Sequence, residues 1–265
     1  MRTKNDDAAA ASRTPAATAE SWIAGIPTAA ILPRAGELHL WRVPLPEAPE
    51  ARAVEQTDLS GDERARAATF QFDRDRNRFV RRRVALRTVL AGYLGAAPLD
   101  IEYRLGQQGK PDLAGKLAAS GLTFNATSSA ELALIACGRG IRIGVDAERT
   151  RADRDLPAIA HRFFSAAEYA AYCALDPAVR TEAFYRCWTR KEAVLKGVGG
   201  GLSLPLDAFD VTLNPAEPAK ILRWEIPGAP RAAWSLHHLA PGAGYIGALA
   251  TDGDPGEIRL WTLNE

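Results

Sequence analysis

The feature that most constrains this chain is an internal repeat in which matching residues stand 105 positions apart. Two segments, Ser60-Gly-Asp-Glu63 and Ser165-Ala-Ala-Glu168, have the form of a capping box, a pattern that begins many helices. Each box precedes a longer stretch of helical periodicity, predicted over residues 74–94 and 178–196, that ends at glycine. The other repeated pairs are Phe79 and Phe184, Arg81 and Arg186, Val89 and Val194, Leu90 and Leu195, and Gly95 and Gly200. A repeat of this length predicts two similar halves in one chain.

Strand-like segments accompany the helical stretches in both halves. The predicted strands cover residues 36–43, 101–105, 122–127, 131–137, 141–147, 209–213, 221–226, 233–239, 245–250 and 258–262. We therefore predict an α+β fold of two pseudo-symmetric half-domains, over residues 36–140 and 141–265. A disordered or irregular tail is expected over residues 1–35, which lack periodic apolar positions. A cleft between two such halves is a preferred place for a ligand.

The overall composition excludes several classes of protein. The chain has 265 residues and a formal net charge of +1, whereas a dedicated nucleic-acid-binding domain usually carries a basic excess. No apolar run approaches the roughly 20 residues that a membrane-spanning helix needs. Three widely spaced cysteines match neither a disulfide framework nor a zinc site. We expect a cytoplasmic protein that binds neither nucleic acid nor membrane, and a monomer, since one chain supplies both halves.

Two carboxylates stand at the end of the apolar segment Ile141-Arg-Ile-Gly-Val-Asp146-Ala-Glu148. On an extended strand, residues i and i+2 point to the same face, so Asp146 and Glu148 lie side by side. Like charges this close repel each other unless they share a proton or a cation, and carboxylate oxygens are ligands that Mg²⁺ prefers. The alternative is an exposed strand end whose carboxylates pair with Arg149 or Arg151.

The second long helical stretch carries Trp188, Glu192 and Lys196 along one stripe, at spacing i, i+4 and i+8. Glu192 and Lys196 also have the favoured spacing of an ordinary surface ion pair, which is the alternative interpretation. The glycines that follow, in Gly197-Val-Gly-Gly-Gly201, favour a functional role, because a helix that carries only solvated charges does not require them.

Basic residues are concentrated in the first half. Gly109-Lys110-Pro111 lies between two predicted strands, and its fixed backbone can aim the lysine at an anion; a plain turn is the alternative. Helical spacing places Arg76, Arg83 and Arg87 near one side of the first long helix, where they can bind phosphates. A basic first half and an acidic pair at the start of the second indicate a polyphosphate ligand with its cation between them.

Taken in order, these segments resemble the 4′-phosphopantetheinyl transferases of the Sfp type. The resemblance covers residues 36–250 and rests on RRRVALRTVLAGYLG, GKP, LTFNATSS, IGVDAE, RFFSAAEY and WTRKEAVLKGVGGGLSLPLDAF. It implies two pseudo-symmetric α+β halves with coenzyme A and Mg²⁺ in the cleft between them. It also implies transfer of 4′-phosphopantetheine from coenzyme A to a serine of an apo acyl or peptidyl carrier domain, with release of 3′,5′-ADP. Such domains occur in fatty acid, polyketide and nonribosomal peptide synthesis.

The resemblance also implies a role for each matching residue. Asp146, Glu148 and Glu192 are expected to hold the Mg²⁺ that bridges the pyrophosphate of coenzyme A. Glu192, helped by a bound water, is expected to deprotonate the carrier serine. Lys196 is expected to neutralise charge that grows on the phosphates.

Coenzyme A itself is expected to contact Arg83 at its 3′-phosphate and Gly109-Lys110-Pro111 on the adenine side. One departure concerns Thr127-Ser128-Ser129, which stands where the family usually reads Ser-His-Ser. Thr127 and Ser128 are still expected to line the coenzyme A site, but Ser128 brings no charge to the 3′-phosphate. Loss of a charged hydrogen bond predicts an affinity lower by about one to two decades. The alternative function is a non-catalytic or weakly active homologue that binds coenzyme A or a carrier protein.

Overall fold

The residues described in a computed structural model of this chain are 22–25, 32–45, 58–106, 109–200, 204–229, 231 and 234–263. Residues 1–21 and 26–31 of the predicted tail lie outside this part of the chain. The described residues form five α-helices: α1 (Gly61–Ala68), α2 (Asp73–Leu94), α3 (Leu156–Phe163), α4 (Ala166–Ala174) and α5 (Pro177–Val198). No helix among them is long and apolar enough to cross a membrane.

The repeat is visible in how the helices begin and end. Both predicted capping boxes form, at the start of α1 and of α4. Helices α2 and α5 each have 22 residues, and each is followed by a glycine in the left-handed conformation. Those glycines are Gly95 and Gly199, with φ of 60° and 83°, so Gly199 rather than the predicted Gly200 matches Gly95. Glycine favours this end because it has no Cβ to clash at positive φ.

The strands form two main sheets and two hairpins. The strands are β1 (Ile23–Gly25), β2 (Glu37–Pro44), β3 (Tyr103–Leu105), β4 (Pro111–Leu113), β5 (Leu122–Ser129), β6 (Leu132–Arg139), β7 (Ile143–Arg149), β8 (Phe209–Val211), β9 (Ile221–Trp224), β10 (Trp234–Leu239), β11 (Tyr245–Asp252) and β12 (Glu257–Leu263). One sheet has the order β1-β12-β2-β6-β5 and the other β10-β11-β7, while β3 pairs with β4 and β8 with β9. The predicted α+β class is confirmed.

Alternation along the strands builds a layered core. On β2, Leu38 and Leu40 face the second sheet, whereas Trp41 and Val43 face α2. Apolar residues of β7 and β11 complete the cluster between the two sheets. Helix α5 covers the other face of the second sheet with a third cluster. The order of layers is therefore α2, five-stranded sheet, three-stranded sheet and α5.

Both ends of the described chain join the first sheet. Strand β12 lies between β1 and β2 and is parallel to both. This pairing runs against the predicted assignment of residues 141–265 to a separate C-terminal half, because β12 completes the sheet of the other half. Residues 23–25 of the predicted irregular tail form an edge strand on β12. The division at residue 140 itself stays a prediction.

Each capping-box glutamate is buried and also binds a cation on the long helix of its half. The Nε of Arg87 donates to Glu63 over 2.7 Å, and the Nζ of Lys191 lies 2.8 Å from Glu168. Burial alone would raise the pKa of Glu63, but hydrogen bonds from Arg87 and the Ser60 backbone hold it below its usual value. These pairs tie the short helix that begins each repeat to the long helix that follows.

Helix α5 packs so closely against β7 that the contact leaves no room for a side chain at the glycines that form it. A Cβ added to Gly144 would lie 1.9 Å from the carbonyl oxygen of Ala193, and one added to Gly197 would lie 2.5 Å from the ring of Trp234. Gly144 is therefore required where α5 crosses β7, and Gly197 where α5 packs against Trp234 of β10. This contact places the last turns of α5 beside Asp146, the residue two positions beyond Gly144.

We expect Gly144→Ala to destabilise the fold by about 3 kcal/mol, because the added methyl meets backbone atoms that cannot move away independently. Urea denaturation of the purified variant measures this change. Gly242→Ala is the matched control, since its Cβ would meet no atom within 4 Å. A Gly144→Ala variant as stable as the control would show that α5 can shift away from β7 at little cost.

Candidate active site

Asp146 is the centre of a polar cluster between β5, β7 and α5. Its side chain is buried, and its Oδ1 accepts hydrogen bonds from Thr127 Oγ1 at 3.0 Å and from Lys196 Nζ at 2.6 Å. Its Oδ2 is buried without a hydrogen-bond partner among the described residues. A buried carboxylate oxygen without a partner is costly, so it marks a position where a further ligand can bind.

Strand β5 supplies the partners of β7 from alternate positions. Asn125 Oδ1 accepts the backbone N–H of Val145 at 2.8 Å, and Ser129 Oγ donates to Glu148 Oε2 at 2.6 Å. Thr127 lies between them and binds Asp146. Since residues i, i+2 and i+4 of a strand share one face, this row connects the two sheets beside the carboxylates. The sequence interpretation included Thr127 but missed Ser129, although its spacing from Thr127 was the available signal.

The pKa values of Glu148 and Glu192 are both raised, as is expected of buried carboxylates that lie close together. Burial raises the pKa of Glu148, and the charge of Asp146 raises it further. Burial likewise raises the pKa of Glu192, and Asp146 and Glu148 add to the effect, while Lys196 opposes it. Each carboxylate thus favours a bound proton or cation more than it would in water. The predicted convergence of β7 and α5 on one site agrees with these mutual effects.

The donor set fits Mg²⁺ in its chemistry. Asp146 offers a free buried oxygen, and Glu148 and Glu192 add hard oxygen donors with raised pKa values. Among the described residues, no three His, Cys, Asp or Glu side chains are gathered as a formed metal site. Lys196 Nζ instead supplies the positive charge next to Asp146. The two glutamates, which have flexible side chains, must shift to join Asp146 around one ion.

The sequence suggested that Lys110 is aimed at an anion. In the structure its side chain is directed instead to backbone carbonyl groups. Its Nζ donates to the carbonyl oxygens of Ile143 and Lys196, each at 2.9 Å. The second of these is a carbonyl in the last turn of α5, where a helix lacks internal donors. Burial lowers the pKa of Lys110. The lysine therefore joins the β3–β4 hairpin to β7 and α5, with Gly109 at a φ of 77° in the turn and Pro111 beginning β4.

The three arginines that the sequence places on a phosphate-facing side of α2 have different environments in the structure. Arg87 is 3% exposed, and it donates to Glu63 and to the carbonyl oxygens of Pro98 and Ile101. It therefore serves the fold, because the buried Glu63 requires its charge. Arg76 pairs with Asp73 at the start of the helix. Arg83 is less tightly held, since its buried Nε has no hydrogen-bond partner among the described residues and forms only a long ion pair, 3.8 Å, with Glu63.

A neighbouring arginine that the sequence interpretation missed contacts Ser128. The Nη1 of Arg82 donates to Ser128 Oγ at 2.8 Å, on the opposite face of β5 from Thr127. Arg82 continues a stripe with Arg74 and Arg78, each one helical turn from the next. Nothing in the sequence distinguished this stripe from the other arginines of α2, because both are regularly spaced.

A cavity of about 680 Å³ lies at the outer end of this arginine stripe. Its lining residues are Arg74, Arg78, Ala130, Glu131, Arg149, Arg151, Ala152 and Asp153. Glu131 binds Arg149 at 2.8 Å and lies 3.5 Å from Arg78, so one acid neutralises part of the charge. None of the predicted site residues lines this cavity, although Arg149 directly follows Glu148. Its four arginines give this side of the molecule a positive field that attracts anions.

Trp188 packs into the aromatic part of the core, next to the polar cluster. Its ring stacks on Phe184 at 6.0 Å and meets the edge of Phe163 at 5.7 Å. The aromatic contacts hold the stripe that carries Glu192 and Lys196 against the second half. Trp188 therefore lies in the core, whereas Glu192 and Lys196, one and two turns further along α5, belong to the polar cluster.

Asp146, Glu148 and Glu192 lie near Lys196 where β5, β7 and α5 meet, and their oxygen donors are of the kind that suits a divalent cation. Comparison with known proteins identifies the class. A family model described as the 4'-phosphopantetheinyl transferase superfamily matches residues 142–250. The 4'-phosphopantetheinyl transferase HetI of Nostoc sp. strain PCC 7120 is 38% identical over 91% of this chain and 98% of its own length.

Two further relatives are more distant. The 4'-phosphopantetheinyl transferase Sfp of Bacillus subtilis strain 168 is 33% identical over 59% of this chain and 67% of its own length. The 4'-phosphopantetheinyl transferase AcpT of Escherichia coli K12 is 36% identical over 44% of this chain and 57% of its own length. The chain belongs to the 4′-phosphopantetheinyl transferase superfamily and is an enzyme of that class, which confirms the resemblance found in its motifs.

We expect Lys110→Met to lower the free energy of unfolding by about 2 kcal/mol, because two hydrogen bonds from a charged group are lost in a buried position. Denaturation without any ligand measures this loss. Lys116→Met, at an exposed lysine near β4, is the control. A variant that keeps full stability and loses only ligand affinity would contradict the structural role and favour the predicted contact with an anion.

We expect Glu192→Gln to stabilise the metal-free protein at neutral pH. The pKa of Glu192 is raised in the folded state, so the folded protein holds its proton more tightly than the unfolded chain does. As pH rises from the ordinary value of 4.5 through the raised one, stability falls, and glutamine removes that loss.

Thermal denaturation in the presence of a chelator, at pH 7.5 and at pH 4, tests this expectation. The melting temperature of Glu192→Gln should exceed that of the unmodified protein at pH 7.5, and the difference should be smaller at pH 4. Glu102→Gln, at an exposed glutamate outside the cluster, is the control. A Glu192→Gln variant that is less stable than the unmodified protein at pH 7.5 would contradict the electrostatic crowding of the three carboxylates.

Proposed function

We propose that this enzyme transfers the 4′-phosphopantetheine group of coenzyme A to a serine of an apo carrier protein, with Mg²⁺, and releases 3′,5′-ADP. The observation that carries the proposal is the buried Asp146, whose Oδ1 binds Lys196 while its Oδ2 has no partner among the residues that the structure describes. One carboxylate thus presents a position for a cation next to a lysine that can bind phosphate oxygens. Family membership and the three relatives that are named phosphopantetheinyl transferases support the same reaction.

The proposed metal ligands are Asp146, Glu148 and Glu192. Bound there, Mg²⁺ would supply charge neutralisation for the pyrophosphate of coenzyme A. The raised pKa values of Glu148 and Glu192 support this assignment, because burial and the neighbouring carboxylates both make a bound cation more favourable there than in water. Lys196 contributes a second positive charge from the opposite side of Asp146.

Glu192 is the proposed general base. Its carboxylate takes the proton of the carrier serine, directly or through one water, and the serine Oγ forms a bond to the β-phosphorus of coenzyme A. The bond from that phosphorus to the bridging oxygen breaks, and 3′,5′-ADP leaves with the electron pair. The raised pKa of Glu192 brings it closer to neutral pH, where a general base is most effective. Lys196 stabilises the charge that develops on the phosphate oxygens.

The remaining proposed contacts lie on the first half. Arg83 binds the 3′-phosphate through its guanidinium group, and the Gly109–Pro111 turn contacts the adenine side. In that turn the backbone makes the contact, because the Nζ of Lys110 already binds two carbonyl oxygens. Thr127 and Ser128 line the path between these two regions, since Thr127 binds the carboxylate cluster and Ser128 faces α2.

Incubation with coenzyme A, Mg²⁺ and a set of apo acyl and peptidyl carrier domains should add the mass of one phosphopantetheine to a carrier serine. We expect Glu192→Gln to lower the rate by about 10²- to 10⁴-fold, since it removes the base and a metal ligand. Mass spectrometry of the carrier measures both, and removal of Mg²⁺ with a chelator should have a comparable effect.

Glu182→Gln is the matched control on the same helix, where Glu182 pairs with Arg186 away from the site. It should retain the rate of the unmodified enzyme. Absence of any mass gain across all carrier classes, together with tight carrier or coenzyme A binding, would instead establish the non-catalytic alternative. Full activity of Glu192→Gln would exclude Glu192 as base and ligand.

A further inference from the structure

The contact between Arg82 and Ser128 joins helix α2 to strand β5. Arg82 lies on α2 and is half-buried, and its Nη1 donates to the hydroxyl oxygen of Ser128 at 2.8 Å. Among the described residues no carboxylate pairs with Arg82, in contrast to Arg87 one turn further along, which Glu63 neutralises. Burial and the charge of Arg83 lower the pKa of Arg82. A half-buried cation without a counter-ion is a costly arrangement.

A second cation converges on the same place. The guanidinium carbons of Arg82 and Arg83 lie 5.7 and 5.6 Å from the centre of the Phe79 ring, so one aromatic ring supports both. The Nε of Arg83 is buried and has no hydrogen-bond partner within the described part of the chain. Ser128 accepts from Arg82 through its oxygen, which leaves its O–H free to donate. Glu63 lies 3.8 Å from the Nε of Arg83 and offsets part of its charge, whereas no carboxylate of the described residues pairs with Arg82. The two guanidinium groups and the hydroxyl donor of Ser128 together form a site for a doubly charged anion.

We propose that Arg82, oriented by Ser128, binds the 3′-phosphate of coenzyme A together with Arg83 and so supplies the charge that Ser128 lacks. This proposal rests on the proposed function and names a binding residue that the motif comparison did not assign. Arg82 extends from the helix to the position on β5 at which a positively charged side chain was expected. The substitution on the strand is thus matched by an arginine on the facing helix.

The geometry favours a phosphate monoester over the pyrophosphate of the same substrate. Ser128 faces α2, whereas Thr127 and Ser129 face the carboxylates of β7 from the opposite side of β5. A phosphate at Arg82 is therefore separated by the strand from Asp146, Glu148 and the cation they would hold. A phosphate monoester carries up to two negative charges on its phosphate group, whereas each phosphate of the pyrophosphate carries a smaller negative charge. Two guanidinium groups therefore suit the monoester better.

The proposal changes one expectation from the sequence. Loss of the histidine predicted a lower affinity for coenzyme A by about one to two decades. With Arg82 in contact with Ser128, a permanently charged bidentate donor stands where a titrating imidazole would be. We now expect the unmodified enzyme to prefer coenzyme A over dephospho-coenzyme A, which lacks the 3′-phosphate.

Calorimetric titration with coenzyme A and with dephospho-coenzyme A tests the assignment. We expect Arg82→Ala to weaken coenzyme A binding about ten- to one-hundredfold and to leave the affinity for dephospho-coenzyme A unchanged. Arg104→Ala, which removes an exposed arginine on β3, controls for loss of one positive charge. Arg82→Ala combined with Ser128→His should recover part of the lost affinity, and only for coenzyme A.

Comparing the affinities for the two ligands also distinguishes a loss of phosphate binding from a loss of folded structure. If Arg82 merely held α2 against β5, Arg82→Ala would weaken both ligands equally, and that result would overturn the proposal. An unchanged affinity for coenzyme A, or no recovery in the double variant, would also overturn it. Failure of the unmodified enzyme to modify any carrier would count against the proposed function, whereas transfer with an unaffected Arg82→Ala variant would count against this inference alone.

Discussion

A carboxylate removed from water requires a positive charge or a full set of hydrogen bonds, and this constraint organises both halves of the enzyme. Glu63 and Glu168 satisfy it completely, because each closes a capping box and also binds a buried cation on the long helix. Asp146 satisfies it only in part, with one oxygen on Lys196 and the other free. The same rule therefore produces two structural ion pairs and one site that remains open for chemistry.

The open site depends on how closely α5 approaches β7. Without side chains at Gly144 and Gly197, the helix backbone rests on the strand, and the short distance lets Lys196 reach Asp146. Lys110 reinforces the same junction from the first half by binding one carbonyl of β7 and one of α5. The glycine run that the sequence singled out thus acts through helix packing and helix termination, and its chemical effect is to position a neighbouring charge.

The sequence predicted those parts of the structure that depend on local pattern. Capping boxes, helix ends and strand alternation are encoded within a few residues, so α2, α5 and β7 were found close to their true bounds. The pairing of β12 with β2 and the partners of Lys110 were not, because each depends on residues distant in the chain. The arginines of α2 show the limit most clearly. Helical periodicity grouped Arg83 with Arg87. Only the tertiary structure shows that Arg87 forms an ion pair with Glu63 and that Arg82 donates to Ser128.

The position of β12 affects how the protein can be made. Its sheet partners are β1 and β2, so the first sheet lacks an internal strand until residues 257–263 have left the ribosome. During synthesis the first half cannot complete its hydrogen-bonding ladder, and β2 exposes an unpaired edge that is prone to association with other chains. The pseudo-symmetric halves are consequently not independent folding units, and cutting the gene between them would leave the N-terminal product with a gap in its central sheet.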